Sequence, residues 1–242
     1  MRKINLFGSL RKLGIIAIVS AIGISIAFVS CIGNGEMVSS EINVSSFNKI
    51  ESAGIAEIRY YKSEEYKVII TTDSNLINLI KAETKNNTLE LGVKPGNYTF
   101  TKIEIDVYCP TLTSVTISGS GKFYSDGKIM EPKFNITVSG SGNIDVNIEC
   151  DTFSSKISGS GKTTVIGKSN ETSIDISGSG EFNGADFISN NVEIDLSGSG
   201  EADVFVISRL KAKISGSGRL NYYGDPADVA SDISGSGQIN KK

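Results

Sequence analysis

The stretch ISGSGKTT, Ile157–Thr164, places glycines at 159 and 161 ahead of Lys162 and Thr163. Alone it has the look of a phosphate-binding loop. Such a loop needs G-x-x-x-x-G-K-[ST], and counting back from Gly161 reaches Lys156 where the first glycine should stand. The similar Gly167-Lys168-Ser169 fails in the same way, because position 162 is a lysine. The tetrapeptide is also not unique. SGSG begins at Ser118, Ser139, Ser158, Ser177, Ser197, Ser215 and Ser234, with spacings of 21, 19, 19, 20, 18 and 19 residues. A near-constant period of this size marks a solenoid or array, and it takes precedence over any local motif.

The repeat alternates on both sides of the tetrapeptide. Immediately before it stand Ile117, Val138, Ile157, Ile176, Leu196, Ile214 and Ile233. Positions three and five before it also favour apolar or small residues, such as Val115 and Ile136, or Phe134 and Phe153. Beyond it, Phe123, Ile144, Thr163, Phe182, Ala202, Leu220 and Ile239 hold the second place. Period-two patterning predicts a strand with one buried face, then a corner, then a second, shorter strand. The fold class is all-β. In the corner, Gly119, Gly140, Gly159, Gly178, Gly198, Gly216 and Gly235 supply backbone freedom and leave no Cβ to clash between stacked coils. The serines are expected to bond local backbone or their copies in the next coil.

A parallel β-solenoid with coils of about 19 residues and an antiparallel meander both satisfy this pattern, and the charges separate them. Two before each SGSG stand Thr116, Thr137, Lys156, Asp175, Asp195, Lys213 and Asp232. Just after it stand Lys122, Asn143, Lys162, Glu181, Glu201, Arg219 and Gln238. Successive repeats often alternate in sign, which is useful only where same-offset residues are neighbours ~4.8 Å apart, as in a solenoid. Asp175/Asp195 and Glu181/Glu201 break the alternation. The solenoid is the reading carried forward. It places Cys109 and Cys150 at similar angular positions two coils apart, so they are expected to stay unpaired.

Ahead of the repeats, residues 1–30 read as a lipoprotein signal peptide. Arg2, Lys3, Arg11 and Lys12 precede the uncharged run Leu13–Val29, and FVSC ends at Cys31. The sequence resembles a bacterial lipobox, which implies lipidation at Cys31, although Phe28 stands where Leu is usual. The competing reading is an uncleaved anchor, since 17 residues approach the spanning length of ~20. Residues 31–41 read as a polar tether, 42–112 as a β-rich part, and 113–242 as the SGSG solenoid. Strand-like runs occur at Ile55–Tyr61, Tyr66–Thr72, Thr88–Val93 and Lys102–Tyr108, with a helical turn or two in SNLINLI, Ser74–Ile80.

SSFNKIESAGIAEI (Ser45–Ile58), VYCPTLTSVTISGSG (Val107–Gly121), the later SGSG repeats and YYGDP (Tyr222–Pro226) together resemble the auto-transporter adhesin head GIN domain family. The resemblance spans roughly residues 42–239. It implies a stacked β fold and an envelope location, and it transfers no binding residue. Cys109 departs from the apolar residue expected at its place.

Composition narrows the function classes. With 24 basic and 27 acidic residues the net charge is -3, which argues against a nucleic-acid partner. The chain has no His, the usual general base and commonest metal ligand. Calcium β-rolls carry an aspartate in every repeat, whereas here only Asp145 and Asp203 fall at a comparable place. No catalytic, cofactor or metal site is expected, and no cofactor. Asp175, Glu181, Asp195 and Glu201 form a candidate acidic patch, with a solvated face as the plainer reading. Tyr60, Tyr61, Tyr98, Tyr108, Tyr222 and Tyr223 are candidates for stacking on sugars, with half-buried strand tyrosine as the plainer one.

The reading is a non-catalytic cell-envelope lipoprotein of the outer membrane. It is held to the membrane by its N-terminal lipid and presents a rigid surface to a glycan or protein, with oligomers open. The alternative is a glycan-active β-helix lyase or hydrolase. Coil lengths confined to 18–21 residues, and Arg59, Arg209 and Arg219 far apart in sequence, favour the scaffold. If Cys31 is lipidated, Cys31→Ala abolishes lipid labelling and releases the protein or stalls its processing. Unchanged membrane attachment with an unprocessed N-terminus supports the plain anchor instead.

Overall fold

The structure, a computed structural model, describes residues 31–242; the signal peptide expected over residues 1–30 lies outside the described residues. From residue 114 onward the chain winds as a parallel β-solenoid. Asn143–Gly159 pairs with Lys162–Gly178 without a shift, through Ile144↔Thr163, Lys156↔Asp175, Ile157↔Ile176 and Gly159↔Gly178. The next turns, Glu181–Gly198 and Glu201–Gly216, continue the same columns, with register shifts between Thr164 and Gly167, between Gly184 and Ile188 and between Ser189 and Asn191. The alternation seen in the sequence becomes burial. Ile117, Val138, Ile157, Ile176, Leu196 and Ile214 are fully buried, and Phe153 packs edge-on against Phe187 with centroids 5.0 Å apart.

The corner is built from main chain. Gly159 has φ +117°, and a Cβ there would lie 2.5 Å from the carbonyl oxygen of Gly140 in the preceding coil. Around it, Ser160 N–H donates to Gly140 O at 2.9 Å and Lys162 N–H to Gly142 O at 3.0 Å. The same two bonds recur at every corner up to Ser236 and Gln238. The amides that a phosphate would need are therefore already used, and Lys162 is paired with Glu181 at 2.6 Å. The serine side chains act differently from expectation. Among the described residues no corner serine hydroxyl makes a hydrogen bond, because the backbone ladder alone joins the corners.

Sign alternation between coils is realised as contact. Lys156–Asp175 (3.9 Å), Lys213–Asp195 (4.0 Å), Lys162–Glu181 (2.6 Å) and Arg219–Glu201 (3.5 Å) are ion pairs between successive turns. All are solvent-exposed, so each contributes under about 1 kcal/mol and acts mainly on register.

Parallel stacking also continues back across residue 112/113. Lys49–Gly54 and Glu57–Lys62 pair in parallel with Ser114–Gly119 and Lys122–Asp126, matching Gly54 to Gly119. Ala53-Gly54-Ile55-Ala56 is thus a further corner with SGSG replaced, and Gly54 keeps φ +125°. A coil made of Thr88–Val93 and Ile103–Cys109 lies beneath it. The chain then crosses over the Lys49–Lys62 coil to reach Ser114.

Antiparallel strands close this end. Lys67–Asp73 lies against Ile103–Cys109, Met37–Asn43 against Lys67–Asp73, and Ile80–Lys85 against Thr88–Val93. The last pair turns through Asn86 and Asn87, both at positive φ (49° and 62°), as a tight hairpin requires. SNLINLI contributes one short 3-10 turn, Ile77–Leu79.

Residues 31–41 lie on this cap and are not a free tether. Cys31–Ile32 pairs with Tyr98–Thr99, and Asn75 Nδ2 donates to Ile32 O at 2.9 Å. Asp73 receives Gly35 N–H, Thr101 N–H and the Thr101 hydroxyl, each at 2.8 Å.

Cys109 and Cys150 are free. The inserted coil sets them three strand spacings apart, about 14 Å, where two were expected. Burial pushes both thiols up to about 12.

Gly159→Val combines a strained positive φ with a clash against a backbone oxygen. It is expected to destabilise the protein by at least ~2 kcal/mol, read as a lowered thermal midpoint. An unchanged midpoint would contradict the stacked corner.

Candidate functional site

Two segments share one spacing, E-I-x-x-Y: Glu57-Ile58-Arg59-Tyr60-Tyr61 and Glu104-Ile105-Asp106-Val107-Tyr108. They lie side by side in parallel, matching Glu57 to Glu104, Arg59 to Asp106 and Tyr61 to Tyr108. Ile58, Tyr60, Ile105 and Val107 point into the core, so the intervening residues face outward. The result is an aromatic and charged patch where the solenoid meets its cap.

The Tyr61 and Tyr108 rings are stacked, with centroids 5.0 Å apart and planes 16° off parallel. Lys67, from the antiparallel cap strand, holds its ammonium 4.9 Å from the Tyr108 centroid. On the other flank, Tyr124 and Asp126 stand in register with Arg59 and Tyr61. The Arg59 guanidinium donates to Glu57 Oε1 at 2.9 Å and Glu104 Oε1 at 3.1 Å, and Lys102 Nζ donates to Glu104 Oε1 at 2.7 Å. These bonds, led by that from Lys102, hold the Glu104 carboxyl below its usual range.

Asp106 is the exception. It stands opposite Arg59, whose fork is turned to the two glutamates, and its Oδ1 is buried with no hydrogen-bond partner. Burial pushes its pKa up, the Arg59 charge opposes this, and Glu104 adds to it. A buried acceptor without a donor costs free energy. Beside it the Tyr61 and Tyr108 phenols are also pushed up, first by burial and then by Asp106. A tyrosine pair, flanking cations and a half-buried carboxylate suit a ligand rich in hydroxyl groups.

The other tyrosines lie elsewhere. Tyr60 is buried and donates to Cys109 O at 3.3 Å, while Tyr98 donates to Pro95 O at 3.1 Å on the cap. Tyr222 and Tyr223 are half-buried near the opposite end. The acidic quartet does not converge. Asp175 and Asp195 lie before the corner and Glu181 and Glu201 after it, each beside a cation of a neighbouring coil. Cys31 is exposed on the cap, and Gly119, Gly140, Gly159, Gly178, Gly198, Gly216 and Gly235 are all corner positions with positive φ. Among the described residues no cluster of three metal-ligating side chains occurs. Asp106, Arg59 and Tyr124 were not singled out from sequence as a site; the repeated E-I-x-x-Y spacing is the signal that finds them.

Fold and surface together define a capped β-solenoid displaying flat, laddered faces. The chain belongs to the family described as "Putative auto-transporter adhesin, head GIN domain", whose model matches residues 46–226. No protein of curated function matches it. Three crystal structures are similar. A "putative adhesin" from Bacteroides fragilis NCTC 9343 has a TM-score of 0.82 at 23% identity, covering 87% of this chain and 99% of its own. A "putative lipid binding protein" from Parabacteroides distasonis ATCC 8503 has a TM-score of 0.76 at 28% identity, covering 88% and 99%. A "putative adhesin" from the same organism has a TM-score of 0.71 at 25% identity, covering 88% and 100%.

The pKa shift at Asp106 gives a pH signature. A raised carboxylate pKa means stability is present at low pH, where the group is neutral, and falls as pH rises through the unfolded and then the folded pKa. Asp106→Asn should therefore raise the thermal midpoint at pH 7 and change it little at pH 3. A drop at pH 7 would show that Asp106 has a stabilising partner.

Proposed function

We propose that this protein is a non-catalytic adhesin of the cell envelope that binds a glycan through the Tyr61/Tyr108/Asp106 patch. The observation that carries the reading is the stacked Tyr61/Tyr108 pair on an outward face, flanked by cations and by the half-buried Asp106 side chain. A sugar ring packs against the tyrosines, and Arg59 and Lys67 supply charged donors to its hydroxyls at the rim. Membership of an adhesin family supports the same reading. So does the construction of the coils, whose corner amides and cross-coil charges are engaged with one another and leave a rigid display surface. Lipidation at Cys31 would attach the molecule through its cap, in keeping with an outer-membrane lipoprotein.

A glycan array with a parallel hydrolysis assay tests this. The full chain is expected to retain particular polysaccharides without shortening them. Tyr61→Ala and Tyr108→Ala should each weaken retention about tenfold, the loss of ~1.4 kcal/mol of aromatic contact. Release of shortened products would instead establish the lyase or hydrolase alternative, and unchanged retention in both variants would move the site off this patch.

A further inference from the structure

The last coil differs from all others. Asp228–Gly235 pairs only with Arg209–Gly216, and Gln238–Lys241 only with Arg219–Tyr222. Val229 and Ile233 occupy inward columns whose previous members, Leu210 and Ile214, are fully buried; yet they are 44% and 43% exposed. At the other end antiparallel strands close the stack. Here a straight strand, DVASDISG, presents unpaired backbone with no Lys, no Pro and no bulge, and Asp228 and Asp232 are the charged guards it carries.

We propose that this edge docks onto the same edge of a second copy, joining two solenoids end to end. An isologous contact about a two-fold axis makes the paired edges antiparallel. Inward residues must meet inward residues, which excludes every odd shift. Centring on Ser231 sets Val229 opposite the second copy's Ile233, Asp232 opposite its Ala230 and Asp228 opposite its Ser234. No carboxylate then faces another. Centring one residue earlier, on Ala230, sets Asp228 against the second copy's Asp232, and centring one later sets Asp232 against its own copy. Each of those puts like charges directly across the ladder. Among the remaining registers that pair at least six residues of the strand Asp228–Gly235, this is the one that sets no carboxylate against another.

The pairing leaves the two caps, each with its Cys31, at opposite ends of the assembly. Nine parallel strands precede the corner positions from Thr88–Val93 to Asp228–Gly235, a stack of about 38 Å per copy. With membrane attachment at Cys31, a point that rests on the function proposed above, the two copies belong to facing membranes, and the contact is homophilic adhesion.

Two experiments on the full chain test this. Ser231→Cys, mildly oxidised, should yield a dimer bridged 231–231 by mass spectrometry, whereas Ser234→Cys, displaced by about six residues from its copy, should not. Absence of the 231–231 bridge, or equal bridging in both, overturns the register. In vesicles carrying the protein, clustering should occur between loaded vesicles and not onto bare ones. Ala230→Asp, an exposed substitution that sets a carboxylate against Asp232 of the second copy, should reduce clustering at least tenfold, and Ala230→Lys should increase it. Clustering onto bare vesicles, or insensitivity to Ala230→Asp, overturns the proposal. Glycan retention separates the two readings: Tyr61→Ala should leave clustering intact, and Ala230→Asp should leave glycan retention intact.

Discussion

One contact sets the dimensions of the whole molecule: the approach of each corner glycine to the carbonyl of the glycine one coil below. At Gly159 there is no space for a Cβ, since it would lie 2.5 Å from Gly140 O, and the backbone there is at φ +117°. Only this approach lets Ser160 and Lys162 donate straight down the stack. Because the corners superpose, the flanking strands superpose as well, and the apolar columns at Ile157, Ile176 and Leu196 become a continuous core. The phosphate-loop appearance of ISGSGKTT is a by-product: glycine is used where backbone must approach backbone, and in a solenoid the approaching group is the protein's own carbonyl.

The outward faces inherit the same translation. Any residue at a given offset is repeated one strand away, so charges must alternate or repel. The interior coils resolve this with exposed ion pairs such as Lys162–Glu181. The candidate site arises where the translation is broken, at the junction of the coils with the cap. There the E-I-x-x-Y segments repeat the glutamates and tyrosines but not the third position, which is Arg59 in one and Asp106 in the other. The tyrosines stack and the glutamates capture the arginine. Asp106 is left without a donor.

The sequence disclosed most of the repeat region, because the SGSG spacing, the period-two columns and the alternating charges all point to one parallel stack. It concealed the coil at Lys49–Lys62, whose corner keeps only the glycine that geometry demands, Gly54, while Ser and the second Gly are replaced. It also concealed the crossing order at the cap, since strands adjacent in space, such as Glu57–Lys62 and Ile103–Cys109, are more than forty residues apart. That order separates Cys109 from Cys150 by one more coil. The site was only partly legible. Tyr61 and Tyr108 stood out by residue type, whereas Asp106 matters through a lost bond that depends on where Arg59 points.

The register between coils also determines how the molecule bears load. Asn143–Gly159 and Lys162–Gly178 match at sixteen positions, and the next pair of turns matches at fourteen. A pull along the stack, from cap to last coil, acts parallel to the main-chain hydrogen bonds. Within one interface all bonds share the tension at once; between interfaces the tension is the same. The stack therefore behaves as a chain of links in series, and it yields first where the matching is thinnest, beside the cap, where Lys49–Gly54 meets Thr88–Val93 at four positions and Glu57–Lys62 meets Ile103–Cys109 at six. Beyond that threshold it lengthens one coil at a time, absorbing work at each step while the remaining coils keep their shape.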